Sequence, residues 1–315
     1  MRELSLGEYI KQERIKQGIT QEQLCEGICE PITISRMENG KQTPSYTRIR
    51  TFLQRLGIPD NQYFALLSQN EIEIKTLQDE IRADIVWFER ARPKDQPAIR
   101  AAGLKKLEKL ATLTKSDERI LLQYIFAMRI SFGEPDSPYS PNERLRLLLE
   151  ALHLTVPNCD LEELSLGLYS LDETSLINQI ANIYIKMGEL NKALDIYLQI
   201  LKYVQKHYQK MPQYGGNYVL IAHNYTVTLF IAERYNDALE SANLGLKACI
   251  KYAHYRFLPG FLDLLGGCYF YKGNLEKCKE YYQNAYSLYK VLGNERDRLN
   301  LEKAAKNRLN LEFPF

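Results

Sequence analysis

Apolar residues in this chain recur with the 3.6-residue period of a helix almost everywhere, and almost nowhere with the two-residue period of a strand. Alternating runs joined by Asn-Gly or Asp-Gly turns, the mark of hairpins, are absent too. That pattern confines the chain to the all-α class. At 315 residues it is also too long for one ordinary core, so two domains or a helical array are expected.

Glycine and proline divide the helical text unevenly. The first 68 residues break into short pieces at Gly18, the Pro31 region, Asn39-Gly40, Thr43-Pro44-Ser45 and Gly57-Ile58-Pro59, which suits a compact bundle. Glu71 to Arg92 then runs without either residue and predicts a connecting helix that stops before Pro93. Beyond it, helices are expected over roughly 97–113, 116–132, 141–154 and 160–170, with loops at Gly133–Pro141 and His207–Tyr218. The expected division is therefore 1–68, 69–93 and 94–315.

Several function classes find no support. No His-Glu-x-x-His string, phosphate-cradling glycine loop or nucleophile elbow occurs, so no catalytic residue, cofactor or metal site is expected. Cys25 and Cys29 are a turn apart but have no further ligand nearby, and they read as structural thiols. The chain opens Met-Arg-Glu-Leu-Ser and has no apolar run fit for a signal peptide or membrane span, so a cytoplasmic protein with six reduced cysteines is expected. A formal charge of +2 does not announce a nucleic acid, so that case must rest on a local motif.

Such a motif lies within Leu6–Leu56. A first helix stops at Gly18. Thr20 is a natural N-cap with Gln23 at the capping-box position, and after a turn through Gly27-Ile28-Cys29-Glu30 a helix runs from Ile32 to Glu38 and ends at Asn39-Gly40. The string GITQEQLCEGIC…ITISRMENGKQTPS resembles the phage-repressor helix-turn-helix of the XRE family, a five-helix domain. Cys29 stands where that family has its turn glycine. The resemblance implies that Thr20 and Gln21 meet a phosphate, and that Pro31, Ile32, Thr33 and Arg36 face the major groove. It also implies that Asn39 and Lys41 touch the backbone, and that Arg14 pairs with Glu38 as structure. Arg36 is the candidate for guanine and Ile32 for a thymine methyl.

The C-terminal half repeats itself weakly. Gly188, Glu233 and Gly273 each mark a turn followed five residues later by a small residue, Ala193, Ala238 or Cys278. An aromatic, Tyr197 or Tyr282, stands nine after each glycine. The second unit, lacking the glycine, matches less well. These units resemble tetratricopeptide repeats, whose stacked hairpins form an α-solenoid with an inner face suited to an extended peptide. The repeat register places Asn178, Asn182, Lys186, His223, Val227, Phe230, Asp263 and Phe270 on that face. Asn178 and Asn182, one turn apart, could bond both sides of a bound backbone. The basic tail Arg296–Arg308 reads as a capping helix with a solvated face, and Phe313-Pro314-Phe315 could dock on it or on a partner.

An XRE-type domain, a connecting helix and such repeats, in that order, resemble the RRNPP group of quorum-sensing regulators, in particular its Rgg- and PlcR-like members. The resemblance implies a Gram-positive host, a double-stranded operator, a short signalling peptide in the repeats and a homodimer, with no membrane partner. Two alternatives are a DNA-tethered scaffold whose repeats bind a protein, and a constitutive repressor that uses the repeats only to dimerise.

Overall fold

In the computed structural model, residues 5–60, 68–133, 139–208 and 215–313 are described, and among them there is helix and no strand. Their contacts divide the chain into two compact units, one of residues 1–85 and 101–180, the other of 86–100 and 181–315.

The first unit begins with α1 (Leu6–Lys16), α2 (Gln21–Cys25), α3 (Pro31–Glu38) and α4 (Tyr46–Arg55). The place for a fifth helix of this bundle falls on residues 61–67, outside the described residues. Ile10, Leu24, Ile34, Phe52 and Leu53 are fully buried at its centre, each stabilising by about 1.5–3 kcal/mol relative to exposure. Local chemistry sets the helix starts. Ser5 and Glu8 form a capping box, as do Thr20 and Gln23, where the Thr20 hydroxyl accepts from the Gln23 amide at 3.1 Å and the Gln23 side chain accepts from the Thr20 amide at 2.8 Å.

The turn between α2 and α3 differs from the XRE expectation. Cys29 does not take up the left-handed conformation; Gly27 does, with φ +70°. A Cβ on Gly27 would lie 2.0 Å from the Thr155 carbonyl oxygen, so the same glycine that turns the chain also admits a neighbouring backbone.

The unit continues with α5 (Gln69–Arg90) as far as Ile85, α6 (Gln96–Leu113) from Ala101, α7 (Arg119–Phe132), α8 (Pro141–His153) and α9 (Leu171–Lys186) as far as Ile180. Lys106 pairs with Asp84 at 2.8 Å and Lys109 with Glu73 at 2.6 Å, so the basic run of α6 is bridged to α5. The helix expected over 160–170 does not form. Only Leu164–Leu166 makes a single 3₁₀ turn, because the Asp160 side chain accepts from the Glu162 amide at 2.8 Å and holds the start as a turn. Past it, Gly167 lies against the Tyr169 ring, where a Cβ would come within 2.2 Å of the hydroxyl.

The second unit is a succession of helices, α10 (Leu190–Tyr208), α11 (Gly215–Ile231), α12 (Tyr235–Lys251), α13 (Leu258–Tyr271), α14 (Leu275–Val291) and α15 (Glu295–Leu309), each packed on the next. Ala193, Ala238 and Cys278 are completely buried where hairpin helices meet, and Tyr197 and Tyr282 fill the space beside two of them. The loop expected over His207–Tyr218 is shorter than that: α10 reaches Tyr208 and α11 begins at Gly215, residues 209–214 lying outside the described ones. Gly215 opens α11 against the Tyr252 ring, which a Cβ there would strike at 2.0 Å. Phe313 packs against a cluster formed by α14 and α15, its ring stacked on that of Tyr286 with centroids 4.4 Å apart, while Pro314 and Phe315 lie outside the described residues.

Candidate nucleic-acid interface and repeat face

Helix α3 is positioned from beneath. Ile34, Met37 and Glu38 point into the bundle, and Glu38 accepts from Arg14 Nε at 2.7 Å and Nη2 at 2.9 Å. Arg14 Nη1 also donates to the Ile19 carbonyl at 2.8 Å, so a buried fork ties α1, the turn before α2, and α3 together. Burying three residues of an eight-residue helix leaves its other side to solvent. Ile32 is 56% exposed. Arg36 is exposed as well, and its guanidinium makes no hydrogen bond or ion pair among the described residues. Pro31 and Thr33 are half-buried, Pro31 opening the helix and Thr33 starting its hydrogen bonds by donating its amide to the Glu30 carbonyl at 2.9 Å.

At the far end Asn39 and Lys41 are exposed. Asn39 Nδ2 donates to the Ser35 carbonyl at 2.7 Å, and the Lys41 amide closes the helix on the Arg36 carbonyl at 2.8 Å. Thr20 is exposed at the start of α2. Gln21 is partly engaged, its Nε2 donating to Glu38 Oε2 at 2.7 Å, which orients the side chain from the same carboxylate that fixes α3. The eight residues thus cluster on the α2–α3 face of one small bundle.

The repeat residues separate into two groups. Asn178 is only 4% exposed and belongs to the first unit. Asn182 spends its Oδ1 on the Tyr197 hydroxyl at 2.7 Å. The expectation of two open amides one turn apart is therefore corrected: one is buried and the other is partly satisfied within its own hairpin. Lys186 is exposed at the end of α9.

His223, Val227, Phe230, Asp263 and Phe270 are all half-buried in the second unit, on α11 and α13. His223 lies against Phe257 and Phe261, centroids 5.8 and 5.2 Å away, and burial lowers its pKa to about 4. Burial raises Asp263 to about 7, opposed by Arg308 and reinforced by Asp297. Phe230 and Phe270 converge on Arg308, whose guanidinium carbon lies 5.6 and 5.9 Å from the two centroids and 5.4 Å from that of Tyr271. Arg308 also donates to the Tyr282 hydroxyl. Sequence reasoning placed Arg308 on a solvated tail and missed it; it lies one turn past Ala305, which is completely buried.

Residues 10–61 match the helix-turn-helix family model, and residues 149–306, half of the chain, match the RNPP family C-terminal domain. The chain belongs to the RNPP family. As an RNPP member it is a quorum-sensing type of transcriptional regulator with an XRE-type helix-turn-helix, and not an enzyme. Among solved structures, PlcR from Bacillus thuringiensis in complex with the peptide PapR7 and DNA matches the fold with a TM-score of 0.58 at 20% identity, over 95% of this chain and 99% of that one. The apo form of the same protein gives 0.55 at 19% identity, over 95% and 98%. The apo form of ComR from Streptococcus vestibularis gives 0.49 at 18% identity, over 96% and 97%. Among curated protein sequences none matches the chain. No helix among the described residues of this RNPP protein is long and apolar enough to cross a membrane.

Proposed function

We propose that this RNPP protein is a cytoplasmic, sequence-specific transcriptional regulator that reads double-stranded DNA with α3 and binds a short signalling peptide with its repeats, as a homodimer. The observation that carries the reading is Arg36: an unpaired guanidinium on the exposed side of a helix whose other side is fixed by a buried ion pair. Thr20 and Gln21 seat a phosphate at the start of α2, Pro31, Ile32, Thr33 and Arg36 face base edges, and Asn39 and Lys41 hold the backbone. Two modules on half-sites one helical turn apart gain affinity by linkage that one small domain lacks. PlcR, solved with both DNA and a peptide, supports the pairing of ligands. Domain limits of 1–68, 69–93 and 94–315 follow from this division of labour.

The test starts from duplexes selected out of a random pool. Arg36→Ala relaxes selectivity at one base pair, by about 1–3 kcal/mol, whereas Gln21→Ala weakens every duplex alike. Unchanged selectivity in Arg36→Ala, measured by competitive gel retardation at fixed salt, overturns the groove assignment. For the peptide, a synthetic copy of a short secreted peptide encoded beside the gene should raise the melting temperature in proportion to occupancy.

A further inference from the structure

One face of α13 carries a charged group that the second unit does not match. Gly260, Asp263 and Gly267 recur at spacings of three and four, so they share that face of the helix. Side chains of neighbouring helices lie close over the two glycines. A Cβ on Gly260 would stand 2.4 Å from His223 Nε2 of α11. One on Gly267 would stand 2.9 Å from the Phe230 ring of α11 and 3.3 Å from Arg308 Nη1 of α15. Asp263 stands between the two glycines and is half-buried. Its carboxyl accepts no hydrogen bond and forms no ion pair among the described residues.

The surrounding groups leave it unmatched. Arg308 is committed elsewhere, to the Tyr282 hydroxyl and to the rings of Phe230, Phe270 and Tyr271. His223, lowered to about 4 by burial, carries no positive charge at neutral pH. Asp297, in the first turn of α15, adds negative potential at Asp263, while its own carboxylate is occupied by Asn294 Nδ2 at 2.8 Å. Burial raises the Asp263 carboxyl to about 7, with Asp297 and against Arg308. A carboxyl drawn out of water without a partner costs stability that a cation beside it returns. Arg308 repels a second cation from the Gly267 end, which leaves the stretch between Asp263 and Gly260 for one.

We propose that Asp263 recognises a cationic group of the signalling peptide, an α-ammonium or a lysine or arginine side chain, seated between Asp263 and Gly260 beside His223. The assignment rests on the reading of the repeats as a peptide receptor and adds the chemistry that the receptor selects. Asp263 ionises as the cation arrives, and charge-assisted hydrogen bonds from the ligand's N–H groups offset the loss of water around both charges. Neutral His223 does not repel the incoming group. A peptide that brings a carboxylate to the same place meets Asp263 and Asp297 together and is rejected.

The immobilised full-length protein is offered a synthetic library of random octapeptides with free amino termini, and the same library N-acetylated. Bound peptides are sequenced by mass spectrometry. Lys or Arg enriched at one position in both libraries assigns the cation to a side chain, and binding confined to the free-amine library assigns it to the ammonium. For one recovered peptide, Asp263→Asn lowers affinity roughly tenfold or more. Norleucine in place of the base, or acetylation of the amine, lowers it to the same extent, and the two changes together lower it no further. Peptides recovered from both libraries without basic preference, or losses that multiply when combined, overturn the cation site and leave the peptide reading standing. Recovery of no peptide from either library removes that reading and the cation site with it. The wild-type selection decides the matter even if Asp263→Asn does not fold.

Discussion

Burial acts on His223 and Asp263 in the same way but with opposite consequences for stability. It holds both side chains neutral, lowering the imidazole to about 4 and raising the carboxyl to about 7. Folded His223 binds a proton less readily than the unfolded chain, so its stabilising contribution is complete above its ordinary value of 6.5 and is lost as pH falls toward 4. Folded Asp263 binds one more readily, so its contribution is complete below its ordinary 3.8 and declines as pH rises toward 7. Between about pH 4 and 6.5 the two slopes oppose each other, and the wild-type melting temperature should change little on their account. His223→Gln leaves the Asp263 decline exposed, and Asp263→Asn leaves the His223 rise, each on the order of 1–2 kcal/mol across the window once solvent screening is allowed for. Thermal melts of both variants from pH 4 to 8 should cross; parallel curves contradict the assignment. The repeat register reached these two residues from sequence because it depends only on spacing. It did not reach Arg308, because nothing local to α15 says that its last turn folds over Phe230 and Phe270.

At the scale of elements, three hairpin turns close with the same pair of backbone bonds. Gly188 donates to Ile185 and Glu189 to Tyr184, Glu233 to Phe230 and Arg234 to Leu229, Gly273 to Phe270 and Asn274 to Tyr269, all at 2.9–3.1 Å. The middle turn does this with glutamate at φ +59°, where the other two have glycine at +80° and +77°. A left-handed non-glycine residue costs about 1–2 kcal/mol, and glycine returns about 0.5–1 kcal/mol of that through its unfolded-state entropy. Glu233→Gly should therefore stabilise by roughly 0.5 kcal/mol, and Gly188→Ala should destabilise by about 1 kcal/mol, as read from urea midpoints at unchanged slope. The weak second repeat is thus the same turn under strain, and spacing alone revealed it. The helix-turn-helix was legible for a related reason: the Thr20–Gln23 box and the Asn39-Gly40 stop are short-range signals that survive without knowledge of the fold. The 160–170 segment has helical spacing too, but the Asp160 side chain holds its start as a turn, which periodicity does not express.

At the scale of the whole first unit, a buried arginine joins the helix-turn-helix bundle to the helices beyond it. Arg55, at the end of α4 and 1% exposed, donates Nη1 to the Leu24 and Glu26 carbonyls at 3.1 and 2.8 Å, and Nη2 to the Thr155 carbonyl and to Glu173, both at 3.0 Å. Glu173 is satisfied in turn by the Thr155 hydroxyl and the Ser170 amide, each at 2.6 Å, and Gln123 donates to the same hydroxyl at 2.6 Å. Gly27 lies against the Thr155 carbonyl without room for a Cβ. The α2–α3 turn and the segment from Thr155 to Glu173 are therefore one polar core. Removing one partner of a buried pair leaves the other charged and dry, so Glu173→Ala should cost about 3–5 kcal/mol. A paired apolar replacement, Arg55→Met with Glu173→Leu, should recover most of that. If the network joins bundle and helices as the geometry requires, hydrogen exchange in Glu173→Ala will show amides of α2 and α4 losing protection together with those around Thr155. Loss confined to 155–173 would mean that the helix-turn-helix holds its shape without that support, and that Arg55 serves only the helices beyond it.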